Sequence, residues 1–338
     1  MSIVVADKKL LTNRIDWIDT AKGYGMLCVI IGHLGTPGIS AFIYTFHMPL
    51  FFYLSGFLFH HQNNISHFLL RKTKSLVIPY FCLAIPVFFN ELFLNHGVNF
   101  QMNDLWLEFL RLLFQKRYTN LWFIASLFFA NCFLFLLCKF IRISSWKFIG
   151  AILLSLSVYF YWKKGGSPLP WNMDVSLFVL PFMVVAKIMH DNKILTNIIV
   201  KHKEKYFILF LLSNIAFGGI NYFLTGERFD LYYSSVNYIL LAYIAAFCGI
   251  IWILILSNYA FIRIINYIGN NSLLIFAWHL VIKNCLERLY DIFNIFQPPL
   301  PLFVVLIRDV TSLVLILLIL IPLNELILHS KLKFILGK

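Results

Sequence analysis

Long apolar runs fill most of this chain, and polar positions collect in short stretches between them. A helix needs about 20 apolar residues to cross a bilayer, because each residue advances it by about 1.5 Å. Ten segments fit that length: 23–40, 41–60, 75–95, 119–138, 147–162, 171–189, 206–224, 234–256, 269–288 and 303–328. The fifth is short, and 281–296 is mixed enough to lie partly in the interface. The pattern predicts an all-α integral membrane protein with about ten transmembrane helices. No polar stretch is long enough to build a second core, so 1–338 reads as a single membrane-embedded domain. The loop 96–118, with Trp106 and the basic pair Lys116 and Arg117, has room for a short amphipathic helix on the membrane surface. No internal repeat of the kind common in secondary transporters is visible.

Composition strengthens the membrane reading. The chain is 60% hydrophobic and 13% charged, against roughly 25% charged in soluble domains. The net charge of +13 does not point to nucleic acid, because Lys and Arg stand at the ends of apolar segments rather than in a basic domain. They read as a topology signal instead. With an even number of spans both termini share a side, and that side holds 19 of the 28 basic residues, among them Lys8, Lys9, Arg14, Lys193, Lys201, Lys203 and Lys338. Both termini are therefore expected in the cytoplasm. The 6 cysteines lie mostly in apolar segments without a close CxxC pair, so neither a disulfide framework nor a metal site is expected. The first residues, MSIVVADKKLLTNR, lack the apolar core of a cleavable signal peptide.

Two histidines interrupt apolar runs, His33 in GYGMLCVIIGHLG and His279 in NSLLIFAWHLVI. An ionisable group at membrane depth is costly and is usually kept for function, and imidazole moves protons near neutral pH. His33 lies eleven positions after Lys22, about 16 Å deep in a helix. His279 lies ten positions after Gly269, and His47 enters from the other side. The three can converge on one cavity. Asp19 and Lys22 stand at the mouth of the first span, and Arg71, Lys72 and Lys74 precede the third. Such cations suit a phosphate-bearing donor. In PLFFYLSGF, Ser55 and Gly56 read as small residues for close helix approach. Glu91, Asp174, Glu287, Asp309 and Glu325 read as structural acids. Lys283 and Glu287 can pair at i, i+4, whereas the adjacent Arg308 and Asp309 are expected not to face each other.

Four stretches carry a resemblance to the integral-membrane acyltransferase family 3. RIDWIDTAKGYGMLCVIIGH is similar to the family's opening, with Asp19, a basic residue at Lys22 and His33. The basic position is often Arg in the family; lysine keeps the charge but loses bidentate geometry. FHMPLFFYLSGFLF resembles the second-span motif, in the His-Met-Pro form of the fucose O-acetylase branch. FLLRKTKSLVIPYF and IGNNSLLIFAWHLVI resemble the basic and the late histidine motifs, and LWFIASLFF, with Trp122, a weaker fourth-span signal.

The resemblance implies catalytic roles for His33, His279 and Asp19 and coenzyme contacts from Lys22, Arg71 and Lys72. It implies substrate contacts from His47, Trp122, Asn271 and Ser272, and no metal. It also implies a stand-alone transferase without a fused hydrolase-like domain, in the plasma (inner) membrane of a bacterium. Such an enzyme would move acetyl from cytoplasmic acetyl-CoA to a hydroxyl of a surface glycan or its lipid-linked precursor. The rival reading is a transporter or flippase for a glycan-related substrate, which buried histidines and a basic mouth would also serve. The motifs and the missing repeat weigh against it.

Overall fold

The structure, a computed structural model, describes residues 16–60, 62–192, 203–296 and 299–337. Lys8, Lys9, Arg14, Lys193, Lys201 and Lys338 lie outside the described residues, as does the side chain of Lys203. The chain's regular elements among the described residues are helices, apart from one isolated bridge between Asp230 and Ser235. In order come α1 (Asp16–His33), α2 (Pro37–Tyr44), α3 (His47–Phe57), α4 (Ile65–His96), α5 (Met102–Phe114), α6 (Trp122–Phe140) and α7 (Ser144–Lys163). There follow α8 (Met173–Phe178), α9 (Leu180–Asp191), α10 (Lys203–Thr225), α11 (Ile239–Tyr259), α12 (Arg263–Asn270), α13 (Ser272–Ile292) and α14 (Leu302–Leu328).

Five of the described helices are long and apolar enough to cross a membrane: α4, α6, α10, α11 and α14. The pair Pro170–Phe178 and Leu180–Asp191, bent by 55°, makes up to six if it counts as one span. This overturns the expectation of about ten. Hydropathy counts apolar residues but not the continuity of the helix that carries them. The apolar stretch 23–60 is cut into α1, α2 and α3, of 18, 8 and 11 residues. Asp16, Asp19 and Lys22 add charge to α1, and Lys283, Glu287, Arg288 and Asp291 add it to α13.

Helix approach follows the small residues. A methyl on Gly269 of α12 would run into the Asp19 carbonyl of α1, so only glycine permits this crossing. Gly56 of α3 meets the Met183 backbone of α9 in the same way. Within α4 the helix widens to a π turn over Thr73–Val77. Pro79 has no N–H to return to Ser75, four residues back, which favours that local change of register. Lys283 and Glu287 pair at 2.7 Å, as their spacing suggests. Arg308 and Asp309 correct the sequence reading: the guanidinium curls back to Asp309 Oδ1 at 2.8 Å and also donates to the Leu34 carbonyl at 3.2 Å. Asp309 Oδ2 accepts from the Thr36 hydroxyl at 2.6 Å. Together they tie α14 to the break between α1 and α2.

The expected amphipathic helix of loop 96–118 is α5, started by a capping box between Gln101 and Asp104. Trp106 is exposed on it, and Tyr80 of α4 donates to its Leu112 carbonyl at 2.6 Å. Glu108 of α5 is enclosed and accepts from Asn95 Nδ2 at 3.1 Å and Arg111 at 2.8 Å. Burial alone would push its carboxyl up. The Tyr118, His96 and Asn95 side chains and the Arg111 charge outweigh that and hold it below the ordinary 4.5. A lowered folded-state pKa means that the stabilisation is present at neutral pH and is lost as pH falls below 4.5 through the folded value. Hydrogen exchange in 102–114, corrected for its intrinsic pH dependence, is expected to quicken across that window in the wild type but not in Glu108→Gln. Equal protection of the wild type at pH 7 and below 4 would exclude this role.

Candidate active site

His33 is the last residue of α1. The break that follows reverses the chain and brings Tyr44 of α2 beside it, with Tyr44 Oη 3.2 Å from His33 Nδ1. Ser40 closes the turn by donating to the Gly32 carbonyl at 2.9 Å. His47 opens α3, and its ring lies 4.7 Å from that of Tyr44. His279, from the middle of α13, brings its ring to 5.3 Å from His33. The three histidines come together from three helices, although only His33 and His47 line a common cavity.

Two of the rings have their tautomer set by the backbone. A carbonyl can only accept, so a neutral imidazole bonded to one must carry its proton on that nitrogen. His47 Nδ1–H donates to the Ile43 carbonyl at 2.9 Å, and His279 Nδ1–H donates to the Phe276 carbonyl at 2.7 Å. Their Nε2 atoms are therefore lone-pair acceptors. Nε2 of His279 is enclosed and has no hydrogen-bond partner among the described residues. His33 differs, because the tyrosine hydroxyl beside Nδ1 can donate or accept. It is the ring of the three best able to exchange a proton without breaking a backbone bond.

His33, Tyr44 and His47 line a cavity of about 300 Å³ together with Glu91, Trp122 and Arg228. His279 backs His33 without lining it. Part of the wall comes from the loop 226–238, closed by paired backbone bonds between Asp230 and Ser235. Arg228 stands over the Tyr44 ring at 3.8 Å from its centroid and donates to Ser40 Oγ at 3.0 Å. It also pairs with Asp230 at 2.9 Å. Burial pushes the Asp230 carboxyl up, and the Arg228 charge pulls against that. Burial pushes the Tyr232 hydroxyl up to about 12, so it stays protonated and donates to the Arg117 carbonyl.

Arg117 anchors this loop. Its guanidinium meets Asp174 at 3.1 and 2.7 Å and donates to Ser234 Oγ at 2.7 Å. Trp162 Nε1 also donates to Asp174, at 2.8 Å. Of the basic pair seen in the sequence, Arg117 points inward and Lys116 outward.

A second cavity, of about 310 Å³, opens at the other end of α1. Lys22, Lys72, Asn271, Ser272 and Asn324 supply polar lining, and Leu274, Phe123 and Phe276 supply apolar lining. Lys22 pairs with Asp19 at 3.3 Å. Ser55 exchanges hydrogen bonds with Asn131 here, at 3.0 and 3.3 Å. Phe276 also lines the histidine cavity.

The sequence candidates thus divide into two groups. His33, His47 and Trp122 share one cavity, backed by His279; Lys22, Lys72, Asn271 and Ser272 share the other. Arg71 is exposed and lines neither. Asp19 and His33 are fourteen residues apart on one helix, about 21 Å along its axis, so Asp19 belongs with Lys22. Sequence reasoning did not single out Tyr44, Asn120, Arg228, Asp230, Tyr232 or Tyr233 as site residues. The mixture of charge and aromatic rings in ERFDLYYSS, between two apolar runs, was the available signal. Among the described residues no three His, Cys, Asp or Glu side chains stand together as ligands for a metal ion.

Among curated proteins and solved structures nothing matches this chain. The family model described as an acyltransferase domain, of the family 3 type, matches residues 15–321. That span contains the whole lining of the histidine cavity, the three histidines and both lysines of the other cavity, whose Asn324 and Leu336 lie beyond it, so the protein is a multi-pass membrane protein belonging to acyltransferase family 3.

Proposed function

We propose that the protein is an O-acetyltransferase of the fucose O-acetylase-like branch. It takes acetyl from cytoplasmic acetyl-CoA and places it on a hydroxyl of a surface glycan or its lipid-linked precursor. In this reading 1–338 is one catalytic domain in a bacterial plasma membrane. The observation that carries it is the pair of cavities at opposite ends of α1, one edged by lysines and one by histidines.

Each cavity suits one substrate. Lys22 and Lys72 meet the coenzyme phosphates, with Asp19 orienting Lys22. Asn271 and Ser272 offer polar contacts to the rest of the donor at that mouth. The sugar enters the histidine cavity, where the Trp122 ring provides an apolar wall and His47 Nε2 accepts from a hydroxyl. His33 is the general base. It takes the acceptor's proton as the oxygen attacks the thioester carbonyl, and it returns that proton to the departing sulfur. His279, held by the Phe276 carbonyl, presents a lone pair beside His33 that supports the imidazolium.

The test is acetyl-labelled coenzyme, the protein reconstituted in vesicles, and the envelope glycan fraction of the native cell. Label is expected in glycan in a form released by mild alkali, with one thiol freed per ester. Glycan that crosses the bilayer without label or thiol release would favour the transporter reading. The donor site has its own check. Lys72→Ala is expected to raise the donor KM about tenfold, equivalent to about 1.4 kcal/mol. The exposed Arg71→Ala should stay near wild type, and Lys22→Arg should keep more function than Lys22→Ala. Equal donor KM in wild type, Lys72→Ala and Lys22→Ala would detach the coenzyme from this cavity.

A further inference from the structure

The two cavities are parted by a side chain that touches both. Phe276 lines the basic cavity and the histidine cavity alike. Its ring packs 5.2 Å from Phe123, which lines the basic cavity, and 6.0 Å from the His279 ring. Its backbone is held in place. The Phe276 carbonyl accepts from His279 Nδ1 and from Asn120 Nδ2, each at 2.7 Å, and Asn120 also donates to the Ala277 carbonyl at 3.1 Å. With the backbone tied on two sides, the movable part is the ring. Rotamer changes of single side chains are fast and need no helix displacement.

We propose that the Phe276 ring is the partition that the acyl group passes to reach His33, and that it limits the length of the acyl chain transferred. The inference rests on the acyl-transfer reading above. With coenzyme phosphates at Lys22 and Lys72, the thioester end of the donor lies in the apolar depth against Phe276. The ring swings aside and the carbonyl carbon enters the histidine cavity. There the acceptor oxygen forms the new C–O bond, its proton passes to His33, the C–S bond breaks with its electron pair going to sulfur, and the thiolate takes the proton. A two-carbon group needs little space beyond the partition. A longer chain must place its methylenes where the ring sits, and a misfitting methylene is worth roughly ten- to two-hundred-fold in rate.

The experiment compares acetyl-, butyryl- and hexanoyl-CoA as donors for the wild type, Phe276→Ala, Phe276→Leu and Phe276→Trp, all reconstituted with the envelope glycan fraction. The butyryl-to-acetyl rate ratio is expected to rise by about tenfold or more in Phe276→Ala, to rise less in Phe276→Leu, and to fall in Phe276→Trp. Phe276→Leu keeps an apolar side chain in the packing, so the ratio can be read even if the alanine variant does not fold. An unchanged ratio in folded Phe276→Leu and Phe276→Trp would overturn the assignment. A wild type that transfers none of the three donors would overturn the acyl-transfer reading, and this inference with it.

Discussion

His33→Ala is expected to insert and accumulate like the wild type and to lose acyl transfer by ~10²-fold or more, the scale of a lost general base. Its position supports both halves of that expectation. The imidazole ends α1 and lines the histidine cavity, and among the described residues its side-chain hydrogen-bond contact is with the Tyr44 hydroxyl. Among the described residues no backbone group bonds to it, whereas the His47 and His279 rings each satisfy a helix carbonyl. Removing His33 therefore costs chemistry more than structure. The measurement is the labelled-acetyl assay at equal protein level in the membrane, with a pH profile. Tyr44→Phe should retain much more activity than His33→Ala but shift that profile, since the hydroxyl faces Nδ1. Wild-type transfer by His33→Ala would remove the ring from the mechanism.

Breaking the Arg117–Asp174 pair is expected to cost about 3–5 kcal/mol of stability, the range for a buried pair that loses one partner. The Arg117 side chain is 6% exposed and that of Asp174 0% exposed, so Asp174→Ala leaves an enclosed, uncompensated guanidinium. Damage should spread to the histidine cavity, because Tyr232 of its wall and the neighbouring loop residue Ser234 both bond to Arg117. Thermal unfolding in detergent should show a large fall for Asp174→Ala, with faster hydrogen exchange in 226–238. The double change Arg117→Met with Asp174→Leu should recover much of the loss, because no charge is then stranded. A double variant as unstable as the two single losses combined would mean that the side chains act independently.

Much of the site was legible because its motifs are local. Asp19, Lys22 and His33 share one helix, so their spacing along the chain is already their spacing in space. Apolar burial of an ionisable ring is equally local, which is why His33 and His279 stood out before any geometry was known. The acyltransferase resemblance drew on the same stretches, and the family match covers them. What was misjudged depended on helix continuity or on chain path. Ten apolar runs became five helices long enough to cross a membrane among the described residues, or six with the bent pair, because a run records composition and not whether one unbroken helix carries it. Asn271 and Ser272 joined the lysine cavity rather than the histidines, because α12 ends and α13 starts at that mouth. Arg308 and Asp309 pair although they are neighbours, since a long guanidinium can curl back where Cβ directions diverge.

The sequence by itself determined the solvent of this protein and its family. Its apolar runs require a bilayer, and the rare ionisable residues within them single out the candidates for chemistry. Which of those residues meet was decided only by the tertiary structure. Arg228 reaches Tyr44 from another part of the chain, Arg117 finds Asp174 across 57 positions, and one phenylalanine on α13 comes to stand between two cavities. Hydropathy and spacing act over one or two helical turns, whereas such meetings follow from how helices broken at particular residues pack against one another. That packing has no periodic trace in the chain.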